Sequence, residues 1–245
     1  MSERRFDPLL LFVALLIVWH IVHMIVGSDV VPSPLSTISR AVTLIQSENF
    51  WKDAANTGRA FGLACAIAII GGGIIGSILG VSRFATEVAD PIVGTIYSIP
   101  KITLYPIILL AFGLSLSAKV AFGVIHGIFP VIISTMSALT NVAAIHRRTA
   151  RVLRMSRIAT ITAILGPAAL PEIFSGIRIG VAVTLLGTLL AELFASSSGV
   201  GFALIRAMEL HNVVDIFALA LLIFIFAAAI NGSLHYIERK IYRHG

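Results

Sequence analysis

Six long apolar stretches occupy most of this chain and restrict it to a membrane-spanning helical fold. A transmembrane helix needs about 20 mostly apolar residues to cross a hydrocarbon core of about 30 Å. Charged side chains make up only 12% of the 245 residues, about half of the roughly 25% found in soluble domains. We therefore predict an all-α bundle of about six transmembrane helices in the lipid bilayer, over residues 6–26, 58–81, 91–112, 118–139, 173–194 and 214–234.

The segments around these stretches indicate how the chain is divided. Leu35, Ile38, Val42 and Ile45 recur at helical spacing, which predicts an amphipathic helix at the surface or against the bundle. A basic run follows the last apolar stretch. The predicted divisions are an N-terminal anchor helix over 1–27, an external amphipathic connector over 28–56, a transmembrane domain over 57–238 with a cytoplasmic loop at about 140–170, and a basic cytoplasmic tail over 239–245.

The lysines and arginines are distributed unevenly between the two ends of the apolar stretches. An even number of spans places both termini on one side, together with the polar segments at 82–90 and 140–170. Most of the 18 lysines and arginines lie on that side, whereas Arg40, Lys119 and a few others lie opposite. Because cytoplasmic loops are enriched in basic residues, we predict that both termini are cytoplasmic. The net charge of +6 is therefore interpreted as a topology signal, and no nucleic-acid partner is expected.

Glycines and prolines within the stretches predict close packing and a break. Gly72, Gly76 and Gly80 follow one another at intervals of four, which places small residues on one helix face. Such a face lets helix backbones approach closely in lipid, so we expect these glycines to serve helix packing. Pro100 and Pro106 lie in the third stretch and are expected to kink it.

An arginine-rich segment follows the fourth stretch and contains no acidic residue. Arg147, Arg151 and Arg154 fall on one helical face, whereas Val152 and Leu153 point the other way. This pattern predicts either a short cytoplasmic docking helix or a topology determinant adsorbed on anionic lipid. The chain has no phosphate-binding loop of the G-x-x-x-x-G-K-[ST] form and no histidine cluster with metal-ligand spacing, so neither bound ATP nor a metal is expected.

Seven segments, in order along nearly the whole chain, form a recognisable pattern. They are Pro32–Pro34, Ile99–Pro106, Phe112–Gly113, Ala150–Arg157, Leu165–Pro171, Gly176–Gly180 and Ala191–Glu192. These segments resemble the type I ABC importer permeases, the binding-protein-dependent transport system inner membrane components, and among them the nitrate, sulfonate and taurine group. The arginine-rich segment and the region after it resemble the family's cytoplasmic signature loop.

The resemblance implies a type I ABC transmembrane domain over 57–238 in a bacterial inner membrane. It implies a homodimer or a pair with a similar permease, two ABC ATPase subunits that bind ATP and Mg²⁺, and an extracytoplasmic solute-binding protein. The chain itself would bind no cofactor and would not be an enzyme. Nitrate, sulfonates, taurine, bicarbonate and vitamin precursors all remain open as solutes. The loop residues expected to couple to the ATPase are Arg147, Arg148, Ala150, Arg151, Leu153, Arg154, Met155 and Ser156.

The loop departs from the family signature at two points. The signature begins with Glu-Ala-Ala, where this chain has Arg148, Thr149 and Ala150. It then has a glycine four residues after the second alanine, where this chain has Arg154. That glycine permits a turn between two short helices, so Arg154 is expected to alter the docking angle or to select a particular ATPase.

Three ionisable residues within the apolar stretches are candidates for the translocation path, namely Lys101, His126 and Glu192. Ionisable groups at membrane depth are costly and often functional. The alternative for Glu192 is a structural hydrogen bond or an interfacial position, and for His126 it is packing. Two other classes of function are alternatives to an importer permease. An ion-coupled secondary transporter would need intramembrane carboxylates and usually internal repeats, and a membrane enzyme would need a nucleophile and base at recognisable spacing.

Overall fold

The computed structural model describes residues 7–142, 152–160, 163–164, 166–194 and 196–242, and these residues contain helices and no strand. Ten α-helices lie within that described part of the chain, and one short 3₁₀ helix, Lys101–Leu104, precedes the fifth. The α-helices are α1 Asp7–Val26, α2 Pro34–Ile45, α3 Glu48–Gly80, α4 Arg83–Ser98, α5 Tyr105–Phe112, α6 Leu116–Asn141, α7 Arg157–Thr160, α8 Gly166–Phe194, α9 Val200–Glu209 and α10 Val213–Tyr242.

Each of the six predicted apolar stretches is helical. In the described part of the chain, α3, α6, α8 and the Val213–Arg239 part of α10 are long and apolar enough to cross a membrane. The third stretch belongs to a bent pair of helices, which would form a fifth span if the pair crosses as one. The first stretch forms a shorter apolar helix, Leu10–Val26, within α1. The prediction of an all-α membrane bundle with about six apolar helices is therefore confirmed.

The third stretch is broken where the prolines predicted a kink. The segment Arg83–Ser98 and the segment Lys101–Phe112 are inclined to each other by 77°. Ile99 is extended, with ψ of 130°, because the residue before a proline is pushed out of the helical region. Pro106 then lies in the first turn of α5, where its missing N–H breaks no helical hydrogen bond.

Two segments outside the predicted apolar stretches contain helix. The predicted cytoplasmic segment at 82–90 forms the start of α4, because Ser82 caps the helix and Arg83 pairs with Glu87 one turn later at 3.0 Å. The segment after the fifth stretch contains α9, Val200–Glu209. Asp53 accepts a hydrogen bond of 2.7 Å from the backbone N–H of Gly199, the residue before that helix.

The chain divides into two compact units, the first of which is Met1–Asn56 with Ser198–Phe226 and the second Thr57–Ser197 with Ala227–Gly245. In the first unit, Val200, Ala207 and Leu219 form a buried apolar cluster to which Leu44 and Phe50 contribute. This cluster joins α9 and the beginning of α10 to the end of α2 and the beginning of α3.

The second unit is held together by glycines at backbone contacts. A Cβ atom placed on Gly72 would lie 2.8 Å from the Cβ of Val131, and one on Gly76 would lie 2.7 Å from the carbonyl oxygen of Ile132. Gly80 makes the same approach to the carbonyl oxygen of Met136, at 2.7 Å. The three glycines thus place α3 directly against α6, and α6 also packs along α8.

We expect Gly76→Ala to destabilise the protein, because the added methyl group has no room against backbone atoms that cannot rotate away. Overpacking of this kind costs about 1–3 kcal/mol, which a melting curve in detergent would register as a lower Tm. Gly73→Ala is the matched control, because the position lies on the same helix and a Cβ there meets nothing within 4 Å. Equal Tm values for the two variants would contradict the close packing of α3 on α6.

Candidate functional site

A buried ion pair lies between three helices of the second unit. Glu192, near the end of α8, is fully buried, and Lys119, in the first turn of α6, is 7% exposed. The Lys119 Nζ donates to Glu192 Oε1 at 3.3 Å. The Thr57 hydroxyl of α3 donates to the other carboxylate oxygen, Oε2, at 2.8 Å. One carboxylate therefore binds a cation from one helix and a hydroxyl from another.

Aromatic side chains pack beside this ion pair. The Tyr105 hydroxyl, from the first residue of α5, donates to the carbonyl oxygen of Ala191 at 2.7 Å. Its ring meets the edge of Phe122 with centroids 4.9 Å apart, and Ile108 and Ala118 complete the buried cluster. The second half of the broken span is thereby attached to α8 at the residue next to Glu192.

Lys119 is a site residue that the sequence pattern does not predict, because its position between two apolar stretches is also typical of an external basic residue that marks topology. The structure instead buries it against Glu192, because a carboxylate at that depth needs a cation within the protein. A signal for this pairing did exist in the sequence. Glu192 is an acid in an apolar stretch, and Lys119 is a base at the edge of another.

The other two path candidates lie apart from the ion pair. Lys101 begins the 3₁₀ helix, and its Nζ donates to the Tyr97 carbonyl oxygen at 2.8 Å and lies 4.3 Å from the centroid of the Tyr97 ring. His126 is half-buried on α6, with its Nδ1 2.8 Å from the Phe122 carbonyl oxygen. A Cβ on Gly187 would lie 2.8 Å from the His126 ring, so the imidazole fills the space that this glycine leaves.

The predicted coupling segment is described in its second half, while Arg147, Arg148, Ala150 and Arg151 lie outside the described residues. Leu153 and Arg154 are exposed, and Met155 is half-buried. Ser156 is exposed, and its hydroxyl accepts a hydrogen bond of 3.2 Å from the Ala159 N–H in the first turn of α7. The segment therefore presents a short exposed turn before a capped helical turn.

Arg154 adopts the backbone conformation that favours glycine, with φ of 49°. A side chain with a Cβ pays about 1–2 kcal/mol in the left-handed region. This is the position at which the family signature has its glycine. The turn is thus formed in this chain although the residue is an arginine.

A second ionic cluster joins α8 to α10, and sequence analysis did not identify it. Glu238 is 6% exposed and accepts hydrogen bonds from Ser175 Oγ at 2.6 Å and from His235 Nδ1 at 3.2 Å. Arg178 Nη1 lies 3.3 Å from the same carboxylate. Because Glu238 follows Arg178 by more than fifty residues, no local pattern could have paired them.

We predict a large, non-additive effect of breaking the Lys119 and Glu192 pair. Lys119→Met leaves a buried carboxylate without its cation, which costs about 3–5 kcal/mol. In Lys119→Met/Glu192→Leu both charges are absent, so most of that loss should be recovered. Thermal unfolding of the two single variants and the double variant gives the coupling energy.

The matched control is Lys52→Met, because Lys52 pairs with Glu48 at 2.7 Å while both side chains are exposed. That pair contributes less than about 1 kcal/mol, so the Tm should barely change. A double variant as unstable as the sum of its single variants would refute the coupling of the buried pair.

Known proteins with similar sequences identify the family. Residues 68–243 match the family of binding-protein-dependent transport system inner membrane components. The nitrate import permease protein NrtB of Synechococcus elongatus is 28% identical over 198 residues, which cover 76% of this chain and 71% of the relative. The putative aliphatic sulfonates transport permease protein SsuC of Bacillus subtilis is 27% identical over 235 residues, 95% of this chain and 85% of the relative.

The fold is also found in a solved structure. A crystal structure of an amino acid ABC transporter with histidines superposes with a TM-score of 0.62 at 19% identity, covering 84% of this chain and 97% of that chain. This likeness concerns the helical arrangement. Together with the match over residues 68–243, it agrees with the resemblance carried by the signature loop, and the chain belongs to the binding-protein-dependent transport system inner membrane components, the permease subunits of ABC importers.

Proposed function

We propose that this permease carries a small solute across the bacterial inner membrane when a separate ATPase, bound to residues 147–156, hydrolyses ATP. The observation that carries this assignment of the docking segment is the left-handed turn at Arg154, at the position of the signature glycine. ATP and Mg²⁺ are bound by the ATPase, and this chain contributes no cofactor site. Two copies of the chain, or this chain and a similar permease, form the membrane part, with both termini in the cytoplasm.

The exposed surface of the docking segment supports binding to a protein. Val152 is 82% exposed and Leu153 is 63% exposed, directly before the arginine turn. Two apolar side chains beside cations provide the buried centre and charged rim that protein interfaces use. Adsorption on anionic lipid needs only the charges, so the apolar pair favours the ATPase as the partner.

The names of the relatives favour a small oxyanion as the solute. NrtB is a nitrate import permease, SsuC is named for aliphatic sulfonates and CmpB for bicarbonate. We propose that Lys101 faces the pathway for such an anion, since it is the path candidate at the break between α4 and α5. Its Nζ lies over the Tyr97 ring and near the Phe129 ring, and among the residues that the structure describes no carboxylate forms a salt bridge with it.

Glu192 has a structural function in this proposal. Its carboxylate is fully buried and neutralised by Lys119, which suits the joining of helices better than the binding of a passing solute. An ion-coupled transporter would need an intramembrane carboxylate that exchanges its ion. The pairing of Glu192 argues against that alternative, and the proposed mechanism is alternating access driven by closure of the ATPase subunits.

We predict that reversing three charges in the docking segment separates the permease from its ATPase. The variant Arg147→Glu/Arg151→Glu/Arg154→Glu should still insert in the membrane, because its apolar spans are unchanged. It should lose ATPase co-purification and ATP-dependent solute uptake in proteoliposomes. Arg206→Glu is the control, as Arg206 is an exposed arginine on α9 and is predicted to lie on the opposite side. Co-purification of the ATPase with the triple variant would refute the docking assignment.

A comparison of glycine with alanine at position 154 tests the turn itself. Arg154→Gly and Arg154→Ala both remove the guanidinium, but only glycine relieves the left-handed backbone. Because the turn is already left-handed in the unbound chain, the glycine variant should be more stable than the alanine variant by about 1–2 kcal/mol. The measurement is the Tm of each purified variant in detergent. Identical Tm values would show that the folded chain does not hold this left-handed turn.

A further inference from the structure

The helix α2 is fixed in rotation about its own axis. Thr37 and Ala41 are buried on one face. Next to that face, Arg40 donates from Nε to Asp215 Oδ1 and from Nη2 to Asp215 Oδ2, the latter at 3.1 Å. The hydrogen bond that Arg40 donates to Asp215 raises the pKa of the Arg40 guanidinium, so the side chain that fixes this face stays charged. The buried residues and the Arg40–Asp215 pair prevent α2 from rotating about its axis, so each of its other faces points in one fixed direction.

One of these remaining faces is an exposed apolar stripe. Its four residues are separated by three, four and three positions, which places them along one side of the helix. No part of the first unit covers this side of α2 among the described residues, whereas an ordinary amphipathic helix packs its apolar side against the protein core. The residues of the apolar stripe and their exposed fractions are Leu35 at 78%, Ile38 at 47%, Val42 at 50% and Ile45 at 40%.

A second exposed stripe is polar. Ser39 and Thr43 are exposed, one turn apart, and the Thr43 hydroxyl donates to the Ser39 carbonyl oxygen at 3.0 Å. At about 100° per residue, this polar stripe lies roughly a quarter turn from the centre of the apolar stripe. The helix thus has three faces along its length, of which one is buried against the protein, one is exposed and apolar, and one is exposed and polar.

The position of α2 relative to α1 also indicates the membrane surface. The α1 helix ends at Val26, and residues 27–33 connect it to α2. The Trp19 Nε1 donates to the Pro32 carbonyl oxygen at 3.1 Å, and the His23 ring Nδ1 lies 2.7 Å from the Val31 carbonyl oxygen. The connection therefore folds back along the last turns of α1. Because α1 is apolar and largely exposed from Leu10 to Val26, its end indicates the depth at which lipid tails give way to headgroups.

We propose that α2 lies in the membrane–water interface, with the apolar stripe among the upper acyl chains and the polar stripe toward water. The occupant of the apolar stripe is lipid, since the exposed surface changes from apolar to polar across the width of one helix. The end of α1, beside which α2 begins, lies at the boundary between lipid tails and headgroups, and this position also favours lipid as the occupant.

The attraction to lipid is hydrophobic and independent of headgroup charge. Interfacial helices that select anionic lipid carry several lysines or arginines on the polar face. Within Pro34–Ile45, Arg40 is the one charged residue, and its charge is neutralised by Asp215. Zwitterionic and anionic membranes are therefore expected to hold α2 at the same depth.

Site-directed spin labelling of the assembled transporter tests the proposal. Cys65 is the single cysteine, so Cys65→Ser gives a background for one nitroxide at a time. The test sites are Ile38→Cys and Val42→Cys on the apolar stripe, and the matched controls are Ser39→Cys and Thr43→Cys on the polar stripe. Each variant is reconstituted in phosphatidylcholine vesicles and in vesicles that also contain phosphatidylglycerol, and collisions with oxygen and with a water-soluble nickel chelate are measured.

The expected result is a ratio of oxygen to nickel collisions severalfold higher at positions 38 and 42 than at 39 and 43, in both lipid mixtures. Similar ratios at all four positions would mean that water surrounds the helix, which overturns the proposal. Immobilised labels at 38 and 42 that neither reagent reaches would mean that a second copy or another subunit covers the apolar stripe, which overturns it as well. A high ratio only with phosphatidylglycerol would refute the independence from headgroup charge.

Discussion

The buried carboxylate of Glu192 is the constraint on which the second unit depends. In a low-dielectric interior an unpaired charge is far more costly than any single apolar contact, so the carboxylate has to be neutralised by residues of this chain. Lys119 and Thr57 do so from α6 and α3, and each fixes one oxygen. As a result, α3, α6 and α8 cannot separate at this point without exposing a charge to apolar surroundings.

Glycine contacts join α3 to α6 at further points along the two helices. Thr57 lies near one end of the apolar part of α3, whereas Gly72, Gly76 and Gly80 meet α6 toward the other end. Between helices in lipid, close backbone approach replaces the hydrophobic drive that exists in water. Thr57 and Lys119 both bind Glu192 at one end of the helices, and the glycine contacts join the helices toward the other end. We therefore expect α3 and α6 to move as one body in the proposed transport cycle. At Ile99 and Pro100 the backbone bends by 77° between two helical segments, so helical hydrogen bonds do not run continuously through this break.

Composition and spacing predicted those features that arise from local chemistry. Hydropathy found the six helical stretches, because every residue in lipid contact has to be apolar, and Pro100 predicted the break because proline has no N–H to donate. The pairing of Lys119 with Glu192 could not be predicted, since it joins residues 73 positions apart through the packing of two helices. The start of α4 was missed because its polar residues stabilise a helix turn through the Arg83 and Glu87 pair rather than forming a loop. The apolar pattern of α2 was found, but its outward direction depends on Arg40 meeting Asp215, which no local pattern contains.

The arginine at position 154 adopts a backbone conformation that is costly for any residue other than glycine. The left-handed backbone costs about 1 kcal/mol more for arginine than for glycine, and its exposed side chain has no acid nearby in sequence, because residues 140–169 contain none. Repulsion among the five arginines of that segment adds to the cost. In the proposed docking, the compensating interaction comes from the ATPase, and a surface that receives Val152 and Leu153 together with several guanidinium groups needs an apolar centre and an acidic rim. Under that proposal, the arginine that replaces the signature glycine favours an ATPase whose groove carries acidic residues.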